Sequence, residues 1–156
     1  MVKVGQPVPD FQCPASGGQD ISLSALKGKH VVLYFYPKDD TPGCTKEGQG
    51  FRDNYAAFQA ADTEILGVSR DSVPSHEKFI AKYAFPFSLL SDKEEKLCRL
   101  FDVVKEKNMY GRKVWGIERS TFVIDRNGIL VREFRKVRVD GHVEEILELV
   151  QNLNAG

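Results

Sequence analysis

Cysteine is scarce in this chain of 156 residues, with three in all, at positions 13, 44 and 98. An odd number cannot form a closed set of pairs. A domain of this length buries about two thirds of the surface its unfolded chain exposes, so it needs no covalent staples. None of the three lies in a C-x-x-C, and His30, His76 and His142 are scattered with no H-E-x-x-H. Both facts argue against a structural zinc site and leave a thiol with chemistry of its own to look for. Excess charge of one sign is missing as well: 22 Lys and Arg stand against 22 Asp and Glu. Nucleic acids and anionic membrane surfaces call for a basic excess, so neither is expected as a partner. In the stretch 132–138, Arg132, Arg135, Lys136 and Arg138 are interleaved with apolar residues, as on the solvated face of a strand. No apolar run approaches the length of a membrane-spanning helix, and the start MVKVGQPVPDF lacks the profile of a secretory signal. The expectation is a soluble cytoplasmic protein. With no repeat, low-complexity tract or linker, residues 1–156 are expected to form one domain.

The elements follow from periodicity. Residues 30–36 (HVVLYFY) are a continuous β-branched and aromatic run closed by Pro37, which suits a strand buried on both faces. Phe51, Tyr55 and Phe58 give residues 44–62 an amphipathic helical pattern, and a second strand is expected at 64–69. Strand, helix, strand makes a βαβ unit with parallel strands. A helix opened by Ser72 and Pro74 should run through Tyr83, with a short strand at 87–90. Ser91 and Glu94 form an S-x-x-E capping box for a helix through Phe101. Segments 120–124 and 129–137 flank a hairpin turn in which Asn127 and Gly128 supply the positive φ angles. After Asp140, Val143, Ile146, Leu147, Val150 and Leu153 form the apolar stripe of a closing helix. The segment 105–116 shows no strong periodicity, and its Trp115 is open to two readings, as a packing residue or as part of a docking surface. The whole reads as an α/β protein with a central mixed β-sheet flanked by helices, the thioredoxin-like layout.

The chemistry concentrates in P-K-D-D-T-P-G-C, Pro37 to Cys44, the loop that leaves the buried strand and opens the first long helix. The first turn of a helix presents unpaired backbone N–H groups and the positive end of the dipole, which favour a thiolate over a thiol. Cys44 is therefore the best nucleophile candidate. Thr41 either caps the helix or sets its hydroxyl beside the sulfur. On position alone, a plain cap with a small buried cysteine is an equal reading. Arg119 by itself reads as half of a surface ion pair, and Glu47 as a first-turn acid favoured by the dipole.

The motif P-x-x-x-T-x-x-C after an aromatic strand ending in F-Y-P, followed by T-K-E-G and by E-R-S-T-F-V-I-D, resembles the peroxiredoxins, and within them the bacterioferritin-comigratory or peroxiredoxin Q group. The resemblance spans nearly the whole chain, through G-Q-P-V-P-D-F, L-K-G-K-H-V-V-L-Y-F-Y-P-K-D, F-R-D, G-V-S-R-D and L-L-S-D. It implies that Cys44 is the peroxidatic cysteine, oxidised to a sulfenic acid by hydrogen peroxide or small organic hydroperoxides. It further implies that Thr41 and the Cys44 amide hold the peroxide, that Pro37 shields the sulfenate, that Arg119 stabilises the thiolate and peroxide oxygens, and that Glu47 orients Arg119. No metal or prosthetic group is implied, and the group is largely monomeric.

This sequence departs from the pattern at the resolving cysteine. The two usual positions are Gln49 and Ile80. Cys98, beside Leu97, Leu100 and Phe101, reads as a packing residue rather than a resolver, and Cys13 lies on a strand-like stretch. The expected cycle is therefore a one-cysteine mechanism in which an external thiol, from thioredoxin, glutaredoxin or glutathione, reduces Cys44. Gly48 and Gly50 in the first turns of the Cys44 helix either ease its opening for that thiol or permit close packing. A thioredoxin-like reductase would need a second cysteine beside Cys44, and a cysteine phosphatase would need Arg where Gly50 stands. The remaining rival is a redox sensor on the same fold, oxidised once and read by a partner.

Overall fold

In the computed structural model, which describes residues 1–155, the run after Lys29 becomes a strand, His30–Phe35, buried at every position. Among the described residues it is the third of nine strands in chain order: β1 Gln12–Ala15, β2 Gln19–Ser22, β3 His30–Phe35, β4 Thr63–Ser69, β5 Ser88–Ser91, β6 Val104–Met109, β7 Arg112–Ile117, β8 Ser120–Ile124 and β9 Leu130–Arg135. The helices are α1 Pro42–Asp53, α2 Tyr55–Ala60, α3 Val73–Tyr83, α4 Lys96–Leu100 and α5 His142–Ala155. Seven strands form one mixed sheet in the order β2-β1-β5-β4-β3-β8-β9. β3, β4 and β5 run parallel, while β8 pairs antiparallel with β3 in the register Phe35↔Ser120. The mixed sheet flanked by helices is thus as the sequence led us to expect.

Because side chains alternate along a strand, β3 supplies both cores. Val31, Leu33 and Phe35 point to one face, where Phe35, Phe101 and Phe122 pack with ring centroids 4.7 to 5.6 Å apart. Val32, Tyr34 and Tyr36 point to the other face, covered by Phe51 and Phe58 from α1 and α2, Phe79 from α3, and Val143, Ile146 and Val150 from α5.

Several local expectations need correction. The helix expected over 44–62 is two helices broken at Asn54, whose backbone leaves the helical region at φ −107° and ψ 7°; its side-chain amide donates to the Gly50 carbonyl at 2.8 Å beside its own backbone amide at 3.2 Å. The Ser91–Glu94 capping box does not form. Ser91 ends β5 with its hydroxyl on the Asp71 carbonyl, and the Asp92 carboxylate accepts from the Leu97 and Cys98 amides, so α4 starts only at Lys96. In the β8–β9 turn only Gly128 has positive φ, at 80°, while the Asp125 carboxylate accepts from the Asn127 and Ile129 amides. That is a turn closed by a bulge rather than a two-residue hairpin. Segment 105–116 lies almost wholly within the β6–β7 hairpin, a separate two-stranded sheet turned by Tyr110 and Gly111 at positive φ. Its alternation escaped notice because both faces are largely polar or exposed, and Trp115 is 61% exposed, which rules out the packing reading. Arg135 is not a solvated side chain either, since it donates to the Phe101 and Asp102 carbonyls.

The glycines of α1 follow the packing reading. A β-carbon at Gly48 would lie 2.5 Å from Phe85 Cζ, and one at Gly50 2.9 Å from Val143 Cγ2. Gly48→Ala should therefore lower the melting temperature, because overpacking costs about 1 to 3 kcal/mol against the roughly 1 kcal/mol that alanine contributes to a helix. Thermal unfolding followed by circular dichroism checks this, and a raised midpoint would refute the close-packing account.

Candidate active site

β3 delivers the chain to Tyr36 at the end of the sheet, and the segment from Pro37 to Thr41 turns it into α1. Proline at the first helical position removes an amide that would have had no partner, so the helix starts cleanly at Pro42. Thr41 is the N-cap by backbone geometry, and its carbonyl accepts from the Thr45 amide at 2.8 Å. Its side chain neither caps the helix nor is bonded to the sulfur. The hydroxyl donates instead to the Lys38 carbonyl at 2.8 Å. The side-chain cap weighed for Thr41 does not form, and its hydroxyl proton goes to a turn carbonyl, a stronger acceptor than a thiol.

Cys44 sits in the first turn with 2% of its surface exposed. Arg119, immediately before β8, is carried to the same end of the sheet by the antiparallel pairing of β8 with β3. The guanidinium divides its bonds: Nη1 donates to Glu47 Oε1 at 2.7 Å and Nη2 to Cys44 Sγ at 3.4 Å. Arg119 is therefore no surface ion pair, since its partner Glu47 is wholly buried. Gly43 makes room for it, because a β-carbon there would lie 3.1 Å from Nη2. Burial works against the guanidinium's charge, yet Glu47 and Cys44 hold its pKa above the ordinary value.

Glu47 Oε2 has no hydrogen-bond partner, and neither has the buried Tyr34 hydroxyl. Burial pushes the Glu47 carboxyl up to about 7 against the downward pull of Arg119. Burial, and then the charge of Glu47, hold the Tyr34 phenol well above its usual range. Around this centre lie residues the sequence reading passed over. The Val137 amide donates to the Arg119 carbonyl, Thr121 Oγ1 shares a 2.8 Å hydrogen bond with His142 Nε2, and Lys46 of α1 is paired with Asp140. Burial, followed by the charge of Arg119, pushes His142 down to about 4, so it is neutral at ordinary pH. Asp39 and His76 are joined behind the loop at 2.7 Å. Their separation along the chain left no sequence signal.

The other cysteines lie elsewhere. Cys13 and Cys98, 3% and 0% exposed, belong to the core on the face of Val31, Leu33 and Phe35, whereas Cys44 belongs to the core on the face of Val32, Tyr34 and Tyr36. Burial pushes the Cys13 thiol up to about 12, and Cys98, buried and bonded near Asp92, is raised further. All three cysteines are free. Gln49 and Ile80 are half-buried. No group of three or more His, Cys, Asp or Glu side chains fit to hold a metal occurs among the described residues, and no helix there is long and apolar enough to cross a membrane.

The folded chain keeps a proton on Glu47 between about pH 4.5 and about pH 7 that the unfolded chain releases, so this group makes stability fall as pH rises through that interval. Glu47→Gln has nothing to titrate there and should lack that decline. Denaturant unfolding of both proteins at the two ends of the interval checks it, and parallel curves would place the titration elsewhere.

Comparison with known proteins places the chain in a family and a fold. The AhpC/TSA family pattern matches residues 4–133. The chain is 48% identical to the peroxiredoxin Bcp of Bacillus subtilis over 98% of each chain, and 54% identical to the peroxiredoxin Bcp of Xanthomonas campestris over 88% of this chain and 86% of that one. Among solved structures, the bacterioferritin comigratory protein of Xanthomonas campestris, described for its alkyl peroxide reduction activity, superposes with a TM-score of 0.88 at 50% identity over 92% of each chain. The PrxQ of Xylella fastidiosa, solved as a cysteine-to-serine mutant, gives 0.93 at 42% identity over 98% of each chain.

Proposed function

The chain belongs to the AhpC/TSA family and is a thiol peroxidase of the Bcp and peroxiredoxin Q kind, and from that premise we propose that Cys44 is its peroxidatic cysteine. The observation that carries the assignment is the convergence of Arg119 on Cys44 Sγ from a buried Glu47 anchor. The sulfur attacks one oxygen of the peroxide, an S–O bond forms as the O–O bond breaks, and the leaving alkoxide or hydroxide takes up a proton. Negative charge passes from sulfur to the leaving oxygen during this displacement. A fixed guanidinium and helix-start amides aimed there lower the barrier without reorganising. Thr41 contributes as an acceptor: its only hydroxyl proton is on the Lys38 carbonyl, so its oxygen receives the peroxide hydroxyl hydrogen. Pro37 screens the sulfenate from water.

Reduction then runs through an external thiol. Its sulfur attacks the Cys44 sulfenic acid, an S–S bond forms as the S–O bond breaks and water leaves, and a second thiol releases Cys44 as a disulfide departs. Support comes from the seven-stranded sheet that stands between Cys44 and the other two cysteines, and from Gln49 and Ile80 at the usual resolving positions. The 2% exposure of Cys44 means that its helix turn must open for the reductant. Gly48 and Gly50, occupied in packing, do not supply that opening. Substrates are hydrogen peroxide and small organic hydroperoxides, the latter in keeping with the alkyl peroxide activity of the Xanthomonas campestris protein. Thioredoxin, glutaredoxin or glutathione supplies the electrons, and the protein works as a one-domain cytoplasmic monomer.

Cys13→Ser and Cys98→Ser should sustain peroxide consumption with a thiol reductant at rates close to the parent's, and Cys44→Ser should abolish it. Peroxide decay under excess dithiothreitol checks this. Arrest after one equivalent in the parent would favour a sensor, and arrest in either outer variant would make that cysteine the resolver.

A further inference from the structure

His76, on α3, is wholly buried and lies outside the reacting centre. Its Nε2 is 2.8 Å from the Leu90 carbonyl, which can only accept, so Nε2 carries a hydrogen and donates. Its Nδ1 is 2.7 Å from Asp39 Oδ2. One further proton lies between ring and carboxyl, and the pair is electrically neutral wherever that proton rests: imidazolium with carboxylate, or imidazole with carboxylic acid. Asp39 has three more ties. Its Oδ1 accepts from the Tyr36 hydroxyl at 2.6 Å, its Oδ2 from the Ser75 hydroxyl at 2.8 Å, and its amide donates to Asp71 at 2.9 Å.

These bonds bracket the turn that carries Pro37 and Lys38, with Tyr36 before it and Asp39 after it. The Lys38 carbonyl in that turn takes the Thr41 hydroxyl proton. We infer that His76, acting through Asp39, is a positioning residue for the peroxide reaction: it fixes the Lys38 carbonyl where it keeps Thr41 an acceptor for the peroxide. The inference rests on the roles of Cys44 and Thr41 given under Proposed function.

The test is a double-variant cycle read on Cys44 oxidation by hydrogen peroxide, with alkylation of Cys44 by iodoacetamide as a reaction that does not use Thr41. His76→Leu should slow oxidation by roughly tenfold to a hundredfold, the scale on which misplacement by about an ångström acts, and leave alkylation near the parent rate. In a Thr41→Val background, itself slow to oxidise, His76→Leu should add almost nothing, because the group it acts through is gone. Tyr36→Phe, which removes one bond to the same carboxyl with little change in volume, should show the same pattern more weakly and decides the matter if His76→Leu does not fold. Multiplying losses in the double variant would overturn the inference while leaving the Thr41 role standing. Faster alkylation in His76→Leu or Tyr36→Phe would overturn it too, since these residues would then only keep the site closed. Unchanged oxidation in Thr41→Val alone would instead overturn the Thr41 role, and the inference with it.

Discussion

A guanidinium shared between a buried carboxyl and a buried sulfur is the interaction on which the rest of this site depends. Charges out of water are costly unless paired, and removing one partner of a buried pair typically costs about 3 to 5 kcal/mol. Glu47, wholly buried with one oxygen free of any partner, is tolerable only because Arg119 reaches it. Arg119 reaches it only because β8 runs antiparallel to β3, so that its start lies beside the end of β3, where the chain turns into α1. Sheet register, helix placement and the sulfur's environment are therefore one constraint. A slip of one residue in β8 would turn its side chains to the opposite face and remove the cation from the sulfur.

The same sheet accounts for the redox logic. Alternation along β3 divides the interior into two cores, and the three cysteines fall two to one across it. Cys13, on β1, and Cys98, on α4, belong to the core on the face opposite Cys44, so a disulfide with Cys44 would need the chain to cross from one face of the sheet to the other. No other cysteine shares the core of Cys44, and the proposed reduction by an external thiol rests on that division.

Much of this was legible in the sequence, for identifiable reasons. The strand His30–Phe35 announces itself because burial on both faces leaves a continuous β-branched and aromatic run after His30, and α5 because five apolar residues keep helical spacing. Cys44, Arg119 and Glu47 were legible through a motif whose members meet in space. What escaped detection depends on side chains acting on distant backbone. Asn54 interrupts a periodic helix with its side-chain amide folded back on the Gly50 carbonyl, Asp92 caps a helix from several residues back, and His76 meets Asp39 across 37 positions. Periodicity is blind to such bonds. Thr41 is instructive in the opposite sense, since the motif named the residue and only the geometry shows where its proton goes.

The most direct test is the intact mass of the reduced protein after one equivalent of hydrogen peroxide, with and without dimedone, mapped by peptide. The account predicts a dimedone adduct on Cys44 and no internal disulfide. Loss of two hydrogens, with Cys44 joined to Cys98 or Cys13, would contradict it, for the sheet would then be no barrier between them.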